Sequence, residues 1–379
     1  MSKFALRSAA ALALLSATAF GGAAQAQRTF TSADGRWKAV SEIVGQTSTA
    51  TVAAGGNPLY IPPAGTYTGT VGLLMDYGSA GAFVCTGSLV SRTTILTAAH
   101  CVSDGGRERP NSVTAFFNPG NLGDIAVYSA GSGAITRTVN KITVQSEYTG
   151  EVIEQNDIAV LRLSELAPSF ANAYELDFTT DLTGRDHIIA GYGARSLSGG
   201  TSGTLPGFSA GAGRLRFAGN RFETRIGDPD FGGQWADDLR GPFAEVDNVW
   251  MSDFDNGTAF RDQMCNVAAL YGLSGSKYCN LGIGAFEGIG AGGDSGSAYF
   301  IDGKIVAVHS FALWYRDDES ANRFGQFKGA VGIDIHRAFL EANITNSVPE
   351  PASWAMMIAG FGLAGGAVRR SRRSAVSFA

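Results

Sequence analysis

The stretch GIGAGGDSGSAYF, residues 288–300, crowds glycines around Asp294 and Ser295. Gly, Ser and Asp are common turn formers, so the stretch is compatible with an ordinary surface turn. It is equally compatible with a rigid loop that holds a reactive serine against a row of backbone N–H groups. The stretch alone does not decide between the two, so the rest of the chain must supply the partners that a reactive serine needs.

Two further segments supply those partners. TAAHC places His100 at the end of a strand, and NDIAVLRL places Asp157 at the start of a buried strand. A serine hydroxyl needs an adjacent base such as imidazole, and the imidazole needs a carboxylate that fixes its tautomer. Taken singly, each segment has an ordinary interpretation as a packed strand histidine, a strand-opening aspartate or a turn. Their occurrence together, in the order His, Asp, Ser, favours Ser295 as a nucleophile.

Short apolar runs alternate with turn signals from GTVGLLMDYG, residues 69–78, onward. Together with 51 glycines and only 17% charged residues, this pattern predicts an all-β fold of short antiparallel strands, in a barrel or a sandwich. The dipeptide DG at 302–303 lies between two β-rich runs and predicts a hairpin. HRAFLEANI, residues 336–344, predicts one short closing helix.

The segments TAAHC, DIAVLRL and GDSGS resemble those of the trypsin/chymotrypsin family of serine endopeptidases. GYGA at 191–194 and VHSFAL at 308–313 fit two further segments of that family. The resemblance covers about residues 68–345, with a gap at a central insertion. The order of the three side chains also differs from the Ser, Asp, His order of α/β-hydrolases.

The resemblance implies two antiparallel six-stranded β-barrels and a short C-terminal helix. His100 and Asp157 would come from the first barrel and Ser295 from the second, with the substrate in the cleft between them. Ser295 would attack the scissile carbonyl, His100 would move the proton, and Asp157 would orient His100. The backbone N–H groups of Gly293 and Ser295 would form the oxyanion hole.

On this basis the chain is expected to be a serine endopeptidase that acts on proteins or peptides through an acyl-enzyme, without a cofactor or a metal ion. The alternative is a catalytically silent protease-fold binding protein of the cell surface or extracellular matrix. That alternative predicts a broken triad or a blocked pocket, whereas the sequence contains all three side chains.

The resemblance also indicates residues that would bind the substrate. Ile289, six positions before the nucleophile, would form the pocket floor where a trypsin has Asp, so a basic substrate side chain would lack a partner. Ser310, Phe311 and Ala312 would lie along the substrate backbone. His309 would either read an acidic side chain or be a packed strand residue, and an apolar preference is the expectation.

An even number of cysteines in an exported chain predicts two disulfides. Zinc is the competing interpretation, but the cysteines lack the short Cys-x-x-Cys pairs of structural zinc sites. The family resemblance implies the pairs Cys85–Cys101, which brackets the catalytic histidine, and Cys265–Cys279, upstream of the nucleophile.

The N-terminus has the features of a secretory signal peptide. Lys3 and Arg7 precede an apolar run, and small residues, Ala24 and Ala26, lie at the expected cleavage site. An N-terminal membrane anchor, the alternative, would need a longer apolar span.

The sequence predicts five successive segments. These are a signal peptide at 1–26, an extension or pro-segment at 27–65, a first barrel at 66–175, a second barrel at 176–347 with an insertion at about 196–262, and a sorting signal at 348–379.

The C-terminus combines VPEPASW with an apolar stretch at 352–368 and a cluster of four arginines. This combination resembles the PEP-CTERM sorting signal of Gram-negative bacteria. The resemblance implies export, transient anchoring by the apolar span, and cleavage near 349–351 by an exosortase-type membrane enzyme. A buried core helix is the alternative, which the arginines and the terminal position disfavour.

The formal charge of the whole chain is −5, and its two ends carry six basic residues but only one acidic residue. The remaining body is therefore more acidic, which disfavours nucleic-acid binding because phosphate neutralisation needs clustered Lys and Arg. Contact with a membrane is expected only through the C-terminal tail.

Two further patterns are weaker hypotheses. Ile43, Val44 and Gly45 resemble the new N-terminus that pairs with the aspartate before the nucleophile, here Asp294, when zymogens of the family are activated. GDPDFGGQWADD, residues 227–238, and SDFDNG, residues 252–257, carry clustered carboxylates that can bind calcium, but their spacing fits no EF-hand and a solvated acidic loop is favoured.

Overall fold

A computed structural model describes residues 29–31, 37–40, 58–106, 108–119, 125–195, 211–290, 292–315 and 324–344. The predicted signal peptide at 1–26, the segment 43–45 and the sorting signal at 348–379 lie outside these residues. Within the described ranges, no helix has both the length and the apolar character needed to cross a membrane.

The described residues form strands over much of the chain and only short helices. The strands are β1 Thr29–Thr31, β2 Trp37–Val40, β3 Thr70–Asp76, β4 Ala82–Ser91, β5 Thr94–Thr97, β6 Ser112–Phe117, β7 Ile135–Val144, β8 Ala159–Leu163, β9 Asp186–Gly191, β10 Arg216–Arg221, β11 Thr224–Arg225, β12 Val249–Asp253, β13 Ala298–Ile301, β14 Lys304–Tyr315 and β15 Phe327–Gly332. The α-helices are α1 Gln234–Leu239, α2 Gln263–Leu270 and α3 Arg337–Asn343.

Strands β3 to β8 close into an antiparallel barrel in the order β3-β4-β5-β8-β7-β6. Its interior is filled by branched side chains that are fully buried, among them Val71, Leu73, Ile95 and Leu161. Such residues fit a pleated, buried surface, which is why these short apolar runs form strands. Strand β5 is buried along its whole length and leads directly to His100.

The second sheet has nine strands and forms an open half-barrel. Its main path is β10-β9-β13-β14-β15-β12-β11, and β2 adds to β14 and pairs in turn with β1. The predicted all-β fold, with two barrel-like sheets and a short C-terminal helix, is confirmed. In detail the second sheet has nine strands and not six: seven lie on the main path, and β1 and β2 from the N-terminal extension are added to it.

The hairpin between β13 and β14 forms where the sequence predicts it. Asp302 and Gly303 have φ of 51° and 77°, and Ile301 pairs with Lys304 across the turn. Positive φ at both central residues is the requirement of a type I′ turn, which matches the twist of the flanking strands. This tight connection places β14 directly beside β13, next to the loop that carries Ser295.

The region predicted as an aperiodic insertion, about 196–262, contains three strands of the second sheet: β10, β11 and β12. The sequence pattern concealed β10 because its buried positions include Arg216 and Asn220. The Asn220 side chain is satisfied by donating to the carbonyl oxygens of Asp253 and Gly288. Since those acceptors are remote in sequence, the local pattern could not reveal a buried strand, and the exact domain boundaries remain predictions.

Candidate active site

His100 lies in a short 3₁₀ helix, Ala99–Cys101, at the end of β5. The disulfide Cys85–Cys101 ties this turn to β4, and the second predicted disulfide, Cys265–Cys279, also forms. The side chain of His100 is 10% exposed. The turn therefore presents His100 from a scaffold that is fixed on both sides, at β5 and through the disulfide.

Asp157 is buried and receives three hydrogen bonds. The backbone N–H of His100 donates to Oδ1 at 2.8 Å, while Nδ1 of His100 lies 2.7 Å from Oδ2. The hydroxyl of Ser310 donates to Oδ2 at 2.5 Å. Burial would raise the pKa of Asp157, but the charge and hydrogen bonds of His100, with the Ser310 bond, hold that pKa below its usual value. An ionised Asp157 keeps the imidazole proton on Nδ1 and leaves Nε2 as the basic nitrogen.

Nε2 of His100 is buried and makes no hydrogen bond with any described residue. Buried polar atoms normally have partners, so this nitrogen, on the histidine that Asp157 orients, retains an unused capacity to accept a hydrogen bond. The basic nitrogen of the pair is thus available to a hydroxyl or a substrate atom.

Ser295 lies in the loop before β13 and is 4% exposed. Its carbonyl oxygen accepts a hydrogen bond from the N–H of Thr86 at 2.9 Å and lies 3.6 Å from Sγ of Cys101. These contacts dock the serine loop on β4 and beside the residue that follows His100. Gly296 makes the approach possible, because a Cβ there would come within 2.0 Å of Oγ1 of Thr97.

The backbone around Ser295 presents free donors. Within the described part of the chain, neither the N–H of Gly293 nor that of Ser295 donates a hydrogen bond to the protein. Gly293 has a φ of 101°, a backbone conformation that residues other than glycine rarely adopt. The loop therefore exposes two N–H groups of the kind that stabilise a developing oxyanion.

Asp294 turns away from Ser295 and packs against the GYG segment. Its Oδ1 accepts a hydrogen bond from the N–H of Gly193 at 2.7 Å. A Cβ at Gly191 or at Gly193 would collide with the Asp294 carboxylate, at 2.1 and 2.4 Å. The glycines of this segment are thus required by the position of one carboxylate.

The residues predicted to bind substrate gather along β14 and the loop before Ser295. Ile289 is buried against Phe254 and Phe324. Phe311 and Ala312 are buried in β14, where Phe311 belongs to an apolar cluster of the second sheet. Ser310, the residue before them, points its hydroxyl at Asp157. Their role in binding substrate remains a prediction.

His309 is fully buried. Its Nδ1 lies 2.6 Å from Oη of Tyr299, while its Nε2 has no partner among the described residues. Burial, followed by the nearby charges of Lys328 and His100, holds the pKa of His309 well below its usual value. In this structure His309 is a neutral, packed strand residue.

Sequence reasoning missed Lys328. It pairs with Ala312 in the register of β14 and β15, and its ammonium donates to the carbonyl oxygen of Gly288 at 3.1 Å, beside Ile289. The ammonium also lies 5.3 Å from the ring centroid of Tyr299, and burial lowers its pKa to about 7. A single lysine inside the apolar strand sequence FKGAVG was the available signal.

The acidic loop at 252–257 was predicted to be solvated, and that prediction was wrong for both of its aspartates. Asp253 and Asp255 are 1% and 4% exposed. Asp253 is buried because it ends β12, a strand of the second sheet. Asp255 is buried because the chain then passes beneath the loop at 287–289, where its N–H donates to Oε1 of Glu287.

Comparison with known proteins shows which family models the chain matches. The family model for trypsin matches residues 68–214, and the model for the PEP-CTERM protein-sorting motif matches residues 347–373. The first of these segments is therefore similar to the trypsin family. The matched trypsin segment contains His100 and Asp157, while Ser295 lies beyond its end.

Two similar proteins illustrate the likeness. The chain is 26% identical to trypsin theta of Drosophila erecta over 117 residues. This aligned stretch is 30% of this chain and 40% of that relative. A solved structure described as "HL collagenase structure at 1.7 Å resolution" is 17% identical, with a TM-score of 0.46, over 75% of this chain and 96% of its own.

Proposed function

We propose that this trypsin-like chain is an exported serine endopeptidase in which Ser295, His100 and Asp157 are the catalytic residues. The observation that carries the proposal is the buried Asp157 carboxylate, hydrogen-bonded to His100 at 2.7 Å while Nε2 of His100 remains unpartnered. The serine loop packs beside the same turn, through the contact between Ser295 and Cys101.

Each side chain then has a defined part in the reaction. Nε2 of His100 takes the proton of the Ser295 hydroxyl as Oγ bonds to the scissile carbonyl carbon. Asp157 stabilises the imidazolium that results, and the N–H groups of Gly293 and Ser295 bind the oxyanion. The imidazolium next protonates the leaving amine as the C–N bond breaks, and water hydrolyses the acyl-enzyme with His100 again acting as the base.

A catalytically silent binding protein is the alternative, and no specific observation favours it. Loss of activity in such a protein would leave the aspartate without its histidine or fill the oxyanion site with internal hydrogen bonds. Instead, Asp157 bonds to His100, and the N–H groups of Gly293 and Ser295 are free within the described residues.

The PEP-CTERM match suggests export and cell-surface sorting in a Gram-negative bacterium. We extend this to a pathway in which the segment 1–26 directs secretion and an exosortase-type enzyme cleaves near 349–351. Two disulfides are consistent with folding in an oxidising compartment, because cytosolic thiols are normally kept reduced.

The substrates are proteins or peptides with an apolar or acidic side chain before the cleaved bond. The apolar wall of Ile289 and Phe254 favours the first class. The buried ammonium of Lys328, which bonds the carbonyl oxygen next to Ile289, is compatible with the second and disfavours a basic side chain.

Hydrolysis of a denatured protein substrate tests the proposed activity. The secreted chain should cleave it, and Ser295→Ala should abolish cleavage. Ser297→Ala is a matched control in the same loop, because the Ser297 hydroxyl is buried without a partner among the described residues. Equal hydrolysis by wild type and Ser295→Ala would overturn the proposal.

A further inference from the structure

Five carboxylates crowd together beneath the loop that precedes Ser295, outside the candidate active site. All of them are at most 4% exposed: Glu223, Asp253, Asp255, Asp262 and Glu287. Burial of several ionised carboxylates is unfavourable unless cations or hydrogen-bond donors compensate them. Which carboxylates have such partners, and which one has none, therefore indicates what the cluster binds.

Three of the carboxylates converge on one point. One oxygen from each of Glu223, Asp253 and Asp255 lies within 4.8 Å of the others. Oxygens on opposite sides of a calcium ion, each at about 2.3–2.6 Å, are separated by about 5 Å. A single ion of that size therefore reaches all three side chains.

Most members of the cluster have protein donors, but Asp255 has none. Both oxygens of Glu223 accept from Nδ2 of Asn280 at 2.8 Å, and Oδ2 of Asp253 accepts from the N–H of Met264 at 2.8 Å. Both oxygens of Asp255 are buried and accept no hydrogen bond from any described residue. A buried carboxylate without a donor needs another positive partner.

No lysine or arginine of the described chain supplies that partner. The ammonium of Lys328 bonds the carbonyl oxygen of Gly288, and the guanidinium of Arg221 pairs with Asp186 at 2.7 Å. Without a bound cation, both oxygens of Asp255 would be buried with neither a hydrogen-bond donor nor a positive partner among the described residues.

We propose that Glu223, Asp253 and Asp255 bind a calcium ion. The donors are all hard oxygens, and the described residues place no histidine or free thiol among them, which disfavours zinc. Magnesium usually retains several waters in an octahedral shell, whereas this cluster is buried on all sides. The site departs from an EF-hand because Glu223 comes from the link between β10 and β11 and not from the loop at 252–257.

The calcium site would brace the predicted substrate pocket. The N–H of Asp255 donates to Oε1 of Glu287, two residues before Ile289, at 2.5 Å. Phe254, between the two acidic residues of the loop, packs against Ile289. Neutralising the cluster therefore stabilises the start of the loop that leads to Ser295, although calcium itself takes no part in the proposed chemistry.

Thermal unfolding of the whole secreted chain tests this inference independently of peptidase activity. After EGTA treatment, CaCl₂ at about 100 times Kd should raise Tm by roughly 5 °C or more, with one ion bound per chain by titration calorimetry. Asp255→Asn should fold at least as stably as wild type in EGTA, since a repulsive charge is removed, but should lose most of the calcium-induced rise.

Asp237→Asn, an exposed acid on α1, is the matched control and should retain the full rise. The absence of calcium binding and of any Tm change in wild type would overturn the inference. A full calcium response in Asp255→Asn would also overturn it, and an equal response to MgCl₂ would overturn the assignment to calcium.

Discussion

The hydroxyl of Ser310 donates a 2.5 Å hydrogen bond to Oδ2 of Asp157, the same oxygen that meets Nδ1 of His100. Ser310 belongs to β14, in the second sheet, whereas Asp157 lies just before β8, the last strand of the first barrel. This one bond therefore joins the two halves of the fold at the proposed catalytic carboxylate. It fixes Asp157 in position and contributes to its low pKa.

Ser310→Ala should lower kcat/KM by roughly 10- to 100-fold, because a hydrogen bond to a charged group contributes roughly 1.5–3 kcal/mol. Loss of this donor raises the pKa of Asp157, so the acidic limb of the pH–rate profile should move to higher pH. Steady-state kinetics across pH 4–9 measure both effects. An unchanged acidic limb would show that Ser310 does not act through Asp157.

Asp157→Asn should reduce kcat by about four orders of magnitude with little change in KM. The asparagine amide would donate toward His100, so the imidazole would carry its proton on Nε2 and could not accept one from Ser295. Peptide hydrolysis by the purified variant measures the loss, and circular dichroism checks that the fold persists. A loss of less than tenfold would argue against this role of Asp157.

Peptides with Arg or Lys before the cleaved bond should be hydrolysed at least tenfold less efficiently than those with Phe, Leu or Glu. The reason is Lys328, which bonds the carbonyl oxygen of Gly288, next to Ile289. When protonated it repels a second cation, and when neutral it offers that cation no counter-charge. Lys328→Met should narrow this difference. A preference of the wild type for Arg would contradict both proposals for the pocket, a preference for apolar and a preference for acidic substrate side chains.

Gly296→Ala should abolish activity, because its Cβ would lie 2.0 Å from Oγ1 of Thr97 and displace the loop that carries Ser295. Gly303→Ala is the matched control: its φ of 77° resembles the 82° of Gly296, but no atom lies within 4 Å of its Cβ. The control should lose only about 1–2 kcal/mol of stability and keep its activity. Similar losses in both variants would show that backbone strain, and not collision, dominates.

The free energy of unfolding should fall as the pH rises from 4.5 to 7, because Glu154 loses its proton over this range in the unfolded state. Burial, partly offset by hydrogen bonds from Thr149 and Gly150, raises its pKa to about 7 from 4.5. The folded state therefore binds a proton that the unfolded state releases within this range, and its stabilising effect is complete only below pH 4.5. Urea unfolding of wild type and Glu154→Gln at pH 5 and pH 7 measures the effect. The variant should show a smaller loss between the two pH values, and an equal loss would contradict the assignment.

The parts of the fold that local patterns govern could be predicted from the sequence. The DG turn at 302–303 and the apolar runs of the first barrel depend on neighbours in sequence, and so does the short helix α3. The disulfide pairs required the family resemblance, since four cysteines permit three pairings.

The features that were missed depend on remote partners. Lys328 is out of place in an apolar strand when the sequence is considered alone. The fold brings the carbonyl oxygen of Gly288 to its ammonium, which explains its burial. In the sequence Asp253 and Asp255 resemble solvated loop residues, and only the fold brings Glu223 beside them, from the link between β10 and β11. Long-range pairing decides whether such polar groups are buried, and a single sequence gives no direct sign of it.

Reaction with a fluorophosphonate probe, followed by peptide mass mapping, tests the central claim most directly. The reagent bonds covalently only to a serine whose hydroxyl has been activated by an adjacent base. We predict a single adduct on the peptide that contains Ser295, absent in Ser295→Ala and strongly reduced in Asp157→Asn. A correctly folded, processed chain that forms no adduct, or forms it on another serine, would contradict the account.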